Sequence, residues 1–303
     1  MELPDGVLGM AVRDETWSDW VARLPRLADD LLAEWELVVD GWPMHGYCSL
    51  VVPVRTTTRI PAVLKITFDG DEESGHEHLA LQHWGGHGAV RLLRADPRRR
   101  ALLLERLHPE DLGDRWDVEA CEVVAGLYGR LHVPALPQLR TLASWVERWA
   151  APLGDLPRDA PIPRRLVEQT LSLVPDLLAD RDDLRIVHGD LHYFNVLAAD
   201  REPWLAIDPK PMAGDPHYEP APMLWNRFEE LDNDVRTGVR RRFHTLVDAA
   251  GLDEERARDW VVVRMVLNAH WAIEDAARQH RSLTGEERDW ITECIAITKA
   301  VQD

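Results

Sequence analysis

His188-Gly189-Asp190-Leu191-His192-Tyr193-Phe194-Asn195, with a second acid further on at Ile207-Asp208, is the stretch whose reading decides the fold. An Asp, an Asn five residues later and another Asp thirteen residues after that match the needs of phosphoryl transfer from a magnesium nucleotide. One carboxylate orients an acceptor hydroxyl and takes its proton; the amide and the later carboxylate offer hard oxygen ligands to Mg²⁺. Asp190 is therefore the candidate general base, and Asn195 and Asp208 are the candidate metal ligands. Between them, Val196-Leu197-Ala198-Ala199 and Trp204-Leu205-Ala206-Ile207 flank Asp200-Arg201-Glu202-Pro203. This pattern predicts a hairpin that brings Asn195 and Asp208 to one end of a ribbon. His188 is expected to brace the loop rather than react.

Around this stretch, 303 residues suffice for two packed lobes, and 45% hydrophobic with 29% charged residues is an ordinary globular composition. No apolar run is long enough to cross a bilayer, and Met1-Glu2-Leu3-Pro4-Asp5 does not read as a secretion signal. Cys48, Cys121 and Cys294 are few and scattered, as expected of reduced thiols in a cytoplasmic protein. A net charge of −18 disfavours nucleic acid and anionic membranes and favours a cationic small-molecule partner. Oligomeric state is open from sequence, a monomer being the simpler expectation.

The pattern of elements changes along the chain. Helical spacing over 16–35, interrupted by Pro25, predicts two short helices or one kinked helix. Strand-like runs follow at 37–39, 49–54, 62–66, 89–93 and 101–105, with a helix over 71–84 that stops at Gly85-Gly86. Helices are predicted over 117–132, 141–150, 162–179, 233–250, 254–279 and 285–301, and the hairpin is the only β-structure expected there. The reading is an α+β fold: a β-rich N-lobe over 1–106 with a five-stranded antiparallel sheet, and a mostly helical C-lobe over 107–303.

Lys65, alone at the end of an apolar strand, suits the phosphates of a nucleotide as a point charge; Val63-Leu64-Lys65-Ile66 resembles the Val-Ala-Ile-Lys strand of protein kinases. Such a lysine is held by a glutamate on the next helix, and Glu77 is preferred over Glu73. Gly41 to Gly46 form a glycine-flanked turn whose backbone, Gly46 included, is expected to flap over phosphates. It is no Walker loop, because Tyr47-Cys48 stands where Lys-Ser/Thr is required. Glu105 and Leu107 mark the strand end where an adenine would meet backbone groups. His192 sits two residues past the base, where it would touch the transferred phosphate or position Asp190. Beyond the hairpin, Asp215, Glu219, Glu229 and Glu230, with Trp225 and Asn226, are the candidate acceptor-binding residues, together with further acids at Asp232 and Asp234. Asn268, His270, Trp271, Glu274 and Asp275 are secondary candidates for the same role.

These motifs resemble the aminoglycoside phosphotransferase family, and within it the aminoglycoside and hydroxyurea resistance kinases that include streptomycin 6-phosphotransferases. The resemblance spans about residues 35–275 and is most specific at His188-Gly189-Asp190-Leu191-His192-x-x-Asn195, Ile207-Asp208-Pro209-Lys210 and Gly214-Asp215-Pro216-x-Tyr218-Glu219. It implies a protein-kinase-like bilobal fold, ATP with Mg²⁺ (GTP remaining open), and phosphorylation of a hydroxyl on a small antibiotic. Two other readings use the same residues. A metal-dependent hydrolase would recruit His188, Asp190, His192, Asp208 and His217, but leaves Lys65 and Asn195 idle. A catalytically dead binding protein of kinase fold has no need of the complete Lys–Asp–Asn–Asp set.

Overall fold

Strands β1 (Val38–Val39), β2 (Met44–His45), β3 (Ser49–Arg55), β4 (Pro61–Thr67), β5 (Leu92–Asp96) and β6 (Ala101–Glu105) form one antiparallel sheet in the computed structural model. Its order is β1-β3-β4-β6-β5, with β2 on β3. The structure describes residues 1–179, 183–231 and 234–302. Within them the chain divides into two units: Met1–Pro109 with Ala198–Lys210, and Glu110–Leu197 with Pro211–Asp303.

Alternation along the strands decides the faces of the sheet. Leu50, Val52 and Val54 on β3 and Ala62, Leu64 and Ile66 on β4 are fully buried in one core cluster. Against them lies helix α2 (Glu15–Glu34), preceded by the short α1 (Asp5–Met10), and α2 contributes Trp20, Val21, Leu24, Ala28 and Leu31. Asp14 caps α2 by accepting the Thr16 and Trp17 N–H groups, and Pro25 sits inside one continuous helix. Lys65, between Leu64 and Ile66, has the opposite parity and points to the other face. There the chain forms a 3₁₀ turn, Glu73–His76, and then α3 (Glu77–Trp84), closed by Gly85 at φ 58°. This sheet has six strands where five are expected, because the turn after Gly41 pairs Met44 and His45 with Val51 and Leu50. Strand β5 begins at Leu92; Ala89 instead forms an isolated bridge to Ala206.

The second unit carries α4 (Asp117–Leu131), α5 (Leu142–Ala150) and α6 (Arg164–Ala179), then β7 (Arg185–Val187) and the hairpin β8 (Val196–Ala198) and β9 (Trp204–Ala206), inside which the chain passes to the first unit. After β10 (Met212–Gly214) come α7 (Ala221–Trp225), α8 (Val235–Ala250), α9 (Glu254–Arg278) and α10 (Gly285–Ala300). The hairpin is not the only β-structure here: β7 and β10 pair antiparallel, Val187 opposite Met212 and Arg185 opposite Gly214. Each is three residues long, too short for alternation to register.

Assigning everything after residue 106 to the helical lobe also needs correction. Ala198–Lys210 belong to the first unit. Ala206 donates its N–H to the Gly88 carbonyl and accepts from Val90 N–H, both at 2.9 Å, and His108 N–H reaches the Ala198 carbonyl at 3.0 Å. Cys48, Cys121 and Cys294 are buried free thiols. No described helix is long and apolar enough to cross a membrane.

Candidate active site

In the first unit the chemistry gathers on Lys65. Its Nζ donates to both oxygens of Glu77 at 2.8 Å and to Asp208 Oδ1 at 2.5 Å. Glu77 opens α3, where the exposed N–H groups of a helix favour a carboxylate, and it rather than Glu73 pairs with the lysine. Burial works against the Lys65 ammonium, but the Asp208 and Glu77 carboxylates outweigh it and hold its pKa above the usual value. Lys65 and Glu77 are 8% and 3% exposed, whereas Asp208 is 34% exposed and is the member of the set open to solvent. Asp208 also has φ 54°, a left-handed conformation that aspartate tolerates better than most residues and that often marks a functional position.

A second lysine joins them. Lys210 Nζ lies 3.2 and 3.3 Å from the two oxygens of Asp208. Burial would raise the Asp208 pKa; the two ammonium groups reverse that and hold the carboxyl well below the ordinary range. Lys210 lies inside a stretch singled out from sequence, yet only the structure shows that it reaches Asp208.

The remaining first-unit candidates divide. Gly46 spends its N–H on the Ser49 carbonyl at 3.0 Å, closing the turn, so this amide is not a free phosphate donor as expected. The Glu105 carboxylate accepts Arg91 N–H at 2.8 Å and Arg201 Nε at 3.0 Å, and its own N–H goes to the Arg91 carbonyl. It is a brace. Leu107 lies outside any strand, two residues beyond it in the chain.

In the second unit, β7 delivers His188 and the loop turns at Gly189, φ 81°. Asp190 follows, its carboxylate 30% exposed, and its N–H donates to His188 Nδ1 at 3.3 Å. Asn195 Nδ2 donates to the Asp190 carbonyl at 2.8 Å and lies 3.4 Å from Asp190 Oδ2 and 3.1 Å from His192 Nε2. Asn195 thus turns its amide nitrogen into the loop. His192 Nε2 is 3.9 Å from Asp190 Oδ2, close enough to position it.

Glu219 has a different task from the one expected. It is fully buried, and its carboxylate accepts the N–H groups of His188 and Gly189, the latter at 3.2 Å. His132 Nε2 lies 3.5 Å away, and Tyr128 Oη donates to the Glu219 carbonyl at 3.0 Å. Burial raises the Glu219 pKa, but His132, His188 and the backbone donors lower it by more. On the loop's other side Arg264 of α9 donates to the Gly189 carbonyl and, at 3.2 Å, to that of Tyr218. Support of the His188–Gly189 loop from Glu219, His132 and Arg264 is what sequence reasoning missed; only the Gly214–Glu219 motif hinted at it.

Most of the other expected acceptor residues are also structural. Asp215 accepts from Trp260 Nε1 at 2.7 Å, Arg256 Nε at 2.5 Å and His217 N–H at 3.0 Å. Asn226 Nδ2 donates to the Pro222 carbonyl, and Trp225 packs edge-on to Trp290 beneath Arg264. Glu230 pairs with Arg227 at 2.5 Å. Asp234 caps α8, and Asp232 lies outside the described residues. Glu229 is exposed. Asn268 and His270 are buried, whereas Trp271 and Glu274 are half-buried and Asp275 is exposed. Among the described residues no three His, Cys, Asp or Glu side chains converge as a zinc hydrolase requires.

Comparison with known proteins decides the lineage. The model of the aminoglycoside/hydroxyurea antibiotic resistance kinase family matches residues 34–276. The chain belongs to that family. It is a small-molecule kinase, similar to the streptomycin 6-kinase of Streptomyces glaucescens, 42% identical over 91% of this chain and 92% of that one. It is also similar to the hydroxyurea phosphotransferase of Kitasatospora aureofaciens, 42% identical over 85% of this chain and 75% of that one. Among solved structures, a spectinomycin phosphotransferase in complex with ADP and spectinomycin superposes with a TM-score of 0.62 at 14% identity, covering 92% of this chain and 98% of that one. That likeness shows the protein-kinase-like fold. The kinase therefore has the bilobal class expected from its motifs, a sheet-rich first part and a helical second part.

Proposed function

We propose that this kinase transfers the terminal phosphoryl group of ATP, as its magnesium complex, to a hydroxyl of a streptomycin-like aminoglycoside and so confers resistance. The observation that carries the nucleotide half is the Lys65 ammonium clamped by Glu77 with the solvent-open Asp208 carboxylate on its free side. Lys65 is the contact for the α- and β-phosphates, and Asp208, with Asn195 as the motif implies, holds the metal. Bound Mg²⁺ would neutralise charge on the phosphates during transfer. Asp190, held in its loop by Asn195 and His188, aims the acceptor oxygen and takes its proton. His192 positions it. Leu107 backbone groups are the contact for adenine. The enzyme is taken to act in the cytoplasm on a free small molecule.

The acceptor rests on the streptomycin 6-kinase relatives, whose similarity extends over nine tenths of both chains. A second reading, hydroxyurea, draws on one structural observation. Asp215 and Glu219 are tied up internally, which removes much of the acidic surface expected to meet a cation. An ADP-release assay with streptomycin, hydroxyurea and amino sugars, run with ATP and GTP in turn, separates the readings. ADP release with streptomycin, and a phosphorus resonance on the product sugar, is the expected result. Release with hydroxyurea alone would establish the second reading, and release with neither would overturn both acceptors.

A further inference from the structure

The chain has only three lysines among its 35 basic residues, and two of them, Lys65 and Lys210, contact the same carboxylate. Arginine serves in most other ion pairs, including those of Asp117 with Arg241 and Arg242, of Asp215 with Arg256 and of Glu230 with Arg227. A lysine differs in being a compact point charge on a flexible stem, able to leave one partner for another.

The two lysines are held unequally. Lys65 is fixed by both oxygens of Glu77 as well as by Asp208. Lys210, 15% exposed, has Asp208 as its ion-pair partner among the described residues, through two longer contacts of 3.2 and 3.3 Å. A divalent cation arriving at Asp208 meets two ammonium groups on one carboxylate, and like-charge repulsion expels whichever is less firmly held. Lys210 is that group, and the nearest new negative charge is the polyphosphate that accompanies the metal.

We propose that Lys210 is a second phosphate-binding residue, which exchanges its contact with Asp208 for the terminal phosphates when the metal–nucleotide complex binds. This rests on the kinase reading above and adds to it a residue that changes partner on nucleotide binding.

Calorimetric titration of the full chain with ATP and with adenosine, each in Mg²⁺ and in EDTA, tests it using wild type, Lys210→Met and the exposed control Lys299→Met. The loss of one charge-assisted contact should weaken ATP binding of Lys210→Met about tenfold in Mg²⁺. In EDTA, where Lys210 stays docked, the variant should match wild type, and adenosine binding and melting temperature should be little changed throughout. Unchanged ATP affinity in Mg²⁺, or an equal loss in EDTA, overturns the proposal. So does a parallel loss for adenosine with a lowered melting temperature, which would mark Lys210 as structural. A wild type that binds no ATP would instead overturn the kinase reading, and this inference with it.

Discussion

Glu219 accepts the Gly189 N–H at 3.2 Å from a position thirty residues further along the chain, so the loop that presents Asp190 is braced by a fully buried carboxylate. Replacing it with an amide sets an –NH₂ donor against backbone donors. Glu219→Gln should cost about 2–3 kcal/mol of stability at neutral pH and reduce turnover at least about tenfold, with nucleotide affinity less affected. The pH dependence has a definite sign. A carboxyl whose folded pKa lies below its ordinary 4.5 contributes stability above pH 4.5 and loses it as pH falls through the lowered value. The melting-temperature gap between wild type and Glu219→Gln should be full at pH 7 and close progressively below pH 4.5. A constant gap would count against the ionised brace.

Asp190→Ala should lower turnover about 10³-fold, in the range of a lost general base, while ATP affinity changes little. Single-turnover kinetics with calorimetric ATP binding checks both halves. Near-wild-type turnover would remove Asp190 from the base role.

Asp208→Asn keeps a side chain suited to the left-handed backbone at φ 54° but removes the charge. Its melting temperature should fall, because Lys65 and Lys210 lose the carboxylate they share, and the magnesium concentration for half-maximal rate should rise about tenfold or more. Asp208→Ala adds a backbone cost of about 1 kcal/mol and should melt lower than the Asn variant. An unchanged magnesium titration would dissociate Asp208 from the metal.

Asp215→Asn should behave as a stability variant, because Arg256 and Trp260 lose their acceptor; acceptor KM should be unmoved while melting temperature falls. Glu229, exposed, is the acid through which a cationic acceptor would still be felt. Glu229→Gln should raise acceptor KM by at most about fivefold, an effect that fades as salt shortens the screening length below about 8 Å. Indifference to both salt and this substitution would favour a neutral acceptor.

Much of this arrangement was legible in the chain. Strong helical periodicity located α4 to α6 and α8 to α10 to within a few residues, and the twelve-residue step from Lys65 to Glu77 pointed to the right glutamate. What stayed hidden depends on partners far away in sequence. Glu219 and Asp215 look like surface acids until β7 and β10 pair and bring them beside the His188–Gly189 backbone, Arg256 and Trp260. Gly46 looks like a phosphate donor until the turn closes on Ser49. Burial and hydrogen-bond satisfaction, not residue type, separate a recognition acid from a brace.

The three buried thiols give the folded chain a built-in reporter. Burial pushes Cys48 and Cys121 up to about 12 and Cys294 well above 9.0, so almost no thiolate exists at neutral pH to meet an alkylating dye. Labelling must wait for the structure around each sulfur to open. Cys48 belongs to the first unit and the other two to the second, so peptide mapping of a timed labelling reaction clocks the opening of each unit separately in the wild-type chain, with no engineered probe. A nucleotide that binds the first unit should slow the Cys48 clock relative to the other two.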